Sequence, residues 1–149
     1  MNVHFKGSIA KPIHLVFDAI VNHRKMCNYF ISKGSGPMEE GKTVQWEWDN
    51  AGAMFDIAVK KVVPHSLVQF SWVATGGPSL VTICLEEGAQ QTTTITITEE
   101  GWAADESAPA KAVQQSIGWT DFFCSLKAYL LFSVNLRNGK ALAPNKAFL

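Results

Sequence analysis

The chain has 149 residues, the size of one domain, and a domain this long buries about two-thirds of the surface its unfolded chain exposes, so it needs no disulfide or metal staple. Its residues are 47% hydrophobic and only 17% charged, which excludes a disordered chain and leaves material for a large core or an apolar cavity. Thirteen basic residues balance thirteen acidic ones, so there is no electrostatic footprint for a phosphate backbone, and nucleic acid is not an expected partner.

Val3, Phe5, Gly7 and Ile9 alternate with Asn2, His4, Lys6 and Ser8, the period of a half-buried strand. Pro12 opens a helix at a position where its missing N–H costs nothing. Ile13, Val16, Phe17 and Ile20 place an apolar stripe on that helix. Asn22 and His23 interrupt the stripe, a shorter helix is predicted from Arg24 to Phe30, and Gly34, Gly36 and Pro37 predict a loop. Strand patterns then dominate. Val44, Trp46 and Trp48 share one face against Gln45, Glu47 and Asp49, and Asn50, Ala51 and Gly52 supply a turn. Phe55, Ile57 and Val59 face inward on the next strand, and Val68, Phe70 and Trp72 on the one after the turn at Pro64, His65 and Ser66. Gly76, Gly77 and Pro78 break the chain again before the stripe Val81, Ile83, Leu85. Ile95 and Ile97 lie on one side of the strand from Gln91 to Glu99, with Thr92, Thr94, Thr96 and Thr98 on the other as a β-branched surface that can stay solvated. Strands that follow one another through short turns pair antiparallel.

Gly101 to Pro109 reads as a loop, with Asp105 and Glu106 near the next helix start, where the helix dipole favours negative charge. A long helix is predicted from about Ala110 to about Asn138, spanning roughly 40 Å. Trp119, Phe122, Phe123, Leu126 and Leu130 fall on one wide apolar face of it. Gly139 is placed to end this helix, and residues 139–149 read as a loosely held tail.

This order predicts an α+β chain, with residues 1–149 forming one domain. In it a curved six-stranded antiparallel sheet wraps around the long C-terminal helix, and two short helices follow the first strand. One helix stripe is too narrow to cover six flat strands, so the sheet must curl; Gly7 and the glycine-rich turns would permit that. A curled sheet closed by one helix leaves either a void or a solid aromatic core, and the sequence leaves both open. The candidate ligand-binding residues are the inward positions Phe5, Trp46, Trp48, Phe55, Ile57, Phe70, Trp72, Ile83, Ile95, Trp119, Phe122, Phe123, Leu126 and Leu130.

Several stretches carry a family resemblance. Pro12 to Ile20 is similar to the opening helix of the START/Bet v 1-like superfamily (SRPBCC), in particular the branch related to the C-terminal domain of the activator of Hsp90 ATPase. Gly41 before the tryptophan strand, Val62-Val63-Pro64, Phe70-Ser71-Trp72 and Gly118-Trp119 followed by Phe123, Leu126 and Leu130 match that branch in order and spacing, over nearly the whole chain. Where such proteins often carry an acidic residue after the final leucine, Leu131-Phe132-Ser133 continues apolar. The resemblance implies a helix-grip fold. It also implies one of three roles: binding of lipids, hormones or polyketides, assistance to a chaperone, or cyclase chemistry. It carries no single catalytic set.

The residues themselves offer little chemistry. His4, His14, His23 and His65 are scattered, with no H-x-x-x-H or H-E-x-x-H spacing, so no metal site is expected. Cys27, Cys84 and Cys124 form neither a CxxC clip nor an even set, which fits reduced thiols in a cytoplasmic protein. Ser35 lies in no nucleophile elbow and Gly76-Gly77 in no phosphate loop. Asp56 and Glu47 sit on the polar sides of their strands. No run is long and apolar enough for a membrane span, and the N-terminal stretch alternates rather than forming a signal peptide. The reading is therefore a protein that binds a small apolar ligand, without cofactor. A protein-interaction module resembling the Hsp90 ATPase activator domain is the alternative. A cyclase-type enzyme ranks last, because almost no titratable groups fall on the predicted inward positions.

Overall fold

The computed structural model describes residues 2–49 and 52–142. The predicted turn residues Asn50 and Ala51, and 143–149 of the predicted tail, lie outside the described residues.

Strand β1 (Val3–Ile9) is followed by α1 (Ile13–Val21) and α2 (His23–Met26). Then come β2 (Lys33–Gly34), β3 (Thr43–Trp48), β4 (Ala53–Val63), β5 (Leu67–Trp72), β6 (Ser79–Glu87) and β7 (Thr93–Glu100). Helix α3 (Ala108–Phe132) runs for 25 residues and is followed by the short pair β8 (Val134–Asn135) and β9 (Lys140–Ala141). The main sheet has the order β1-β7-β6-β5-β4-β3-β2, and every neighbouring pair in it is antiparallel. The helix-grip arrangement is thus present, with α3 laid across the sheet.

Four details depart from the sequence reading. The sheet has seven strands where six were expected, because Lys33–Gly34 pairs with β3 inside a segment read as loop. Ser35 closes that seam from both sides: its N–H donates to the Gln45 carbonyl at 3.0 Å and its Oγ accepts from the Gln45 N–H at 2.8 Å. Gly34 permits it, since a Cβ there would meet His23 Cβ at 2.9 Å. The second helix is a single turn and begins at His23, capped by the Asn22 side chain accepting from Arg24 N–H at 3.0 Å. Helix α3 ends at Phe132, where Ser133 takes the left-handed conformation (φ 53°) and its N–H returns to the Tyr129 carbonyl. Gly139 (φ 70°) turns the β8–β9 hairpin instead of ending the helix.

Gly7 also makes room for a ring of the helix. A Cβ at Gly7 would lie 2.6 Å from Phe123 Cζ, so the glycine seats the Phe123 ring of α3 on β1. Phe5 packs beside it, ring centroids 4.9 Å apart. The pairing of β4 with β5 carries a register shift between Val59 and Lys61, an irregularity of the kind that bends a strand. The predicted inward faces are buried: Val44 and Trp46 of β3, Ile57 and Val59 of β4, Val68 and Phe70 of β5, Val81 and Ile83 of β6, Ile95 and Ile97 of β7. Helix α3 covers them with Phe122, Leu126 and Tyr129, and α1 adds Val16, Ala19 and Ile20. Each such large side chain contributes roughly 1.5–3 kcal/mol by leaving water. Tyr29 closes the end between the helices, its hydroxyl donating to the Ala19 carbonyl at 2.8 Å while its ring stacks on Tyr129.

Candidate functional site

The inward face of β7 does not stop at Ile97. Glu99 has the same parity as Ile95 and Ile97, and its side chain is fully buried, at 0% exposure. The expectation of an interior almost free of titratable groups is therefore corrected: a carboxylate sits between sheet and helix. Its compensation is a ring of donors. Trp72 Nε1 donates to Oε2 at 2.9 Å and Ser79 Oγ to the same oxygen at 2.6 Å. Trp119 Nε1 donates to Oε1 at 2.8 Å, and Gln115 Nε2 reaches Oε1 at 3.0 Å and Oε2 at 3.3 Å. Among the described residues no Lys, Arg or His forms an ion pair with it. The sequence places these donors simply. Trp72 ends the inward stripe of β5, Ser79 begins β6, and Gln115 and Trp119 are one turn apart on α3. A buried carboxylate is tolerated when hydrogen bonds occupy its lone pairs.

In front of this network lies a cleft of about 320 Å³ between the ends of β3, β4 and β5 and the first half of α3. Phe30, Trp48, Phe55, Trp72 and Trp119 wall it, and Gln114, Gln115, Asp121 and Arg137 supply its polar groups. The rings brace one another. Phe30 meets Trp48 edge to face at 5.1 Å, Phe55 lies 5.8 Å from Trp72, and Trp72 lies 5.8 Å from Trp119. Trp48 Nε1 donates to the Phe30 carbonyl, which fixes that side of the opening. Arg137 donates from Nη1 to Asp121 Oδ2 at 3.2 Å across the rim. Gly118 also lines the cleft, from within α3, and a Cβ there would meet nothing within 4 Å.

Of the residues expected to line a ligand site, Trp48, Phe55, Trp72 and Trp119 come together here. Trp46, Ile57, Phe70, Ile83, Ile95, Phe122 and Leu126 are buried in the core. Phe5 and Phe123 pack on each other at the β1–α3 contact, and Leu130 is partly buried against the core. The sequence reading missed Phe30, Gln115, Gly118, Asp121, Arg137 and Glu99. The one sequence signal for Glu99 is its parity with Ile97, and for Gln115 its place one turn before Trp119. Arg137 has no such signal, because the predicted helix runs past it to about Asn138.

Elsewhere the chemistry is sparse. Burial, with a smaller contribution from Arg24, holds the His23 imidazole below its ordinary value, and burial pushes the Cys27 and Cys84 thiols up. The exposed Asp105 carboxyl is held low by hydrogen bonds from Ser107, whose Oγ and N–H both reach its Oδ1 ahead of α3. Among the described residues no three His, Cys, Asp or Glu side chains gather as metal ligands, and no helix is long and apolar enough to cross a membrane.

Solved structures share this architecture. A Staphylococcus saprophyticus protein is 28% identical, with a TM-score of 0.81 over 92% of this chain and 96% of its own. DynU16, a protein of the dynemicin biosynthetic locus, is 27% identical with a TM-score of 0.79; 89% of this chain is covered, and it spans 48% of DynU16. The Aha1 dimer from Colwellia psychrerythraea, 18% identical, shares the fold with a TM-score of 0.75 over 89% of this chain and 97% of its own. Among curated proteins there is no match. The resemblance read from Pro12 to Leu130 has its counterpart in a family model that matches residues 10–131. The chain belongs to the family described as Activator of Hsp90 ATPase homolog 1-like protein.

Proposed function

We propose that this protein binds a small, mostly apolar molecule in the cleft between the sheet ends and α3. The observation that carries the reading is Gly118. A glycine inside a helix costs about 1 kcal/mol relative to alanine, and no neighbour within 4 Å requires its missing Cβ. What the glycine does is leave the cleft open beside Trp119. The aromatic walls suit an apolar body, and the Asp121–Arg137 pair at the rim suits a polar end that stays near water. DynU16, from a biosynthetic locus, adds support for a small-molecule role on this fold. The reading assigns no catalytic residue. The free cysteines Cys27, Cys84 and Cys124 support a reducing compartment, the cytoplasm.

Calorimetric titration tests it. Naphthol and decanol serve as neutral ligands, one flat and one flexible. Ligand at about 100 times its dissociation constant stabilises the fold by about 2.7 kcal/mol, so Tm should rise by several degrees. Absence of heat and of a Tm shift with both compounds would remove the reading.

One observation favours a protein partner as a second reading. Val113 and Ile117, one turn apart on the outer face of α3, are 61% and 67% exposed. Such a ridge suits a protein surface, and the family's description points to an Hsp90-type ATPase. An ATPase whose rate is unchanged by the wild-type protein would count against it.

A further inference from the structure

Glu99 does something that filling the core does not require. Leucine or isoleucine at position 99 would continue the Ile95–Ile97 stripe without the desolvation penalty of a carboxylate. What the carboxylate adds is orientation. An indole N–H lies in the plane of its ring, so a hydrogen bond to a fixed acceptor removes the freedom of an otherwise broad χ2 torsion. Trp72 Nε1 bonds Oε2 and Trp119 Nε1 bonds Oε1. One planar group thus fixes two rings that come from facing elements, β5 and α3. Ser79 and Gln115 occupy the remaining acceptor directions and hold the carboxylate in turn. Both tryptophans line the cleft, and Glu99 lies behind them, out of contact with solvent. The ring centroids stand 5.8 Å apart with 38° between their planes.

We propose that Glu99 is a positioning residue that sets the ligand class of the cleft: by locking Trp72 and Trp119 it maintains a rigid, aromatic-walled slot that prefers a flat fused-ring molecule to a flexible chain of similar size. This rests on the cleft being the ligand site. A rigid slot gives offset and edge contacts to a flat ligand, which loses little freedom on entering. A flexible chain must order its torsions to fit the same walls. Released from the carboxylate, the tryptophans rotate to fit either shape, and the preference disappears.

The experiment compares naphthol with decanol, which carry the same number of carbons and one hydroxyl each. Dissociation constants are measured by calorimetry for the wild type, Glu99→Gln, Trp119→Phe and Ile95→Ala. The wild type should bind naphthol about tenfold more tightly than decanol. In Glu99→Gln the amide NH₂ turns a donor toward donors, and the ratio should fall to near one. Trp119→Phe keeps a ring but loses its anchor, so it gives the same fall and decides the matter if Glu99→Gln does not fold. Ile95→Ala lowers Tm without touching the anchors and should keep the wild-type ratio, which separates positioning from general loss of stability. A ratio preserved in Glu99→Gln or Trp119→Phe, or a wild type that binds decanol as well as naphthol, overturns the proposal and leaves the ligand site standing. A wild type that binds neither compound overturns the ligand site itself.

Discussion

Replacing Gly118 separates the ligand site from the fold, because stability and binding should move in opposite directions. Gly118 lies inside α3, is exposed to solvent, and has an open volume where its Cβ would be. In Gly118→Ala the helix gains about 1 kcal/mol from propensity with no steric debit. For a chain of this size that raises Tm by roughly 3 °C in differential scanning calorimetry. Gly118→Leu keeps most of the helix gain and projects a branched side chain into a cleft of about 320 Å³ beside Trp119. Its Tm should be no lower than that of the wild type. Its affinity for naphthol should fall at least about tenfold, a loss of about 1.4 kcal/mol. A core mutation cannot produce that pair of results, since it weakens both. Two outcomes refute the reasoning: a drop in Tm for Gly118→Ala, which would mean that the glycine is needed by the backbone, or undiminished naphthol binding in Gly118→Leu, which would place the ligand elsewhere.

Gly7→Ala drives a Cβ into the Phe123 ring and should cost about 1–3 kcal/mol. Phe123→Leu should recover part of that loss in the double variant, and strictly additive losses in urea unfolding would contradict the seating of Phe123 on β1. For His23, the folded imidazole is held below its ordinary 6.5, so the unfolded chain binds the proton more readily. The contribution to stability is present above pH 6.5 and is lost as the pH falls through the lowered folded value. Tm should fall between about pH 7 and pH 5, and His23→Gln should flatten that slope; an equal slope in both proteins would assign it to other groups. The exposed Cys124 should be alkylated by iodoacetamide before Cys27 and Cys84, whose thiols burial pushes up; mass spectrometry showing Cys27 modified first would contradict their placement.

Most of the fold was readable because alternation is strict where one face is buried. Val68, Phe70, Trp72 and Val81, Ile83, Leu85 could sit only one way, since a one-residue slip would expose all three of either set. The short β2 escaped because two residues carry no period, and its pairing depends on Ser35 bonds that only the folded chain displays. The end of α3 was misplaced because Leu136 and Arg137 suit a helix by propensity, while the left-handed Ser133 is a tertiary outcome. The site was half legible. The alternation marks Trp48, Phe55 and Trp72, and the helix stripe Trp119, as inward aromatics, but nothing in either tells rings that wall a cleft from Trp46 and Phe70, which fill the core behind it. Glu99 was hidden by its composition: among threonines and a second glutamate it resembles a solvated strand end, although its parity points inward.

The most direct test of the ligand site is a naphthol titration followed through the tryptophan indole N–H signals in nuclear magnetic resonance spectra. Binding in the cleft should shift the indole signals of Trp48, Trp72 and Trp119 in parallel with one dissociation constant, since all three rings form its walls. Naphthol that leaves these three signals unmoved, or perturbs only the outer face of α3 around Ile117, would contradict the account.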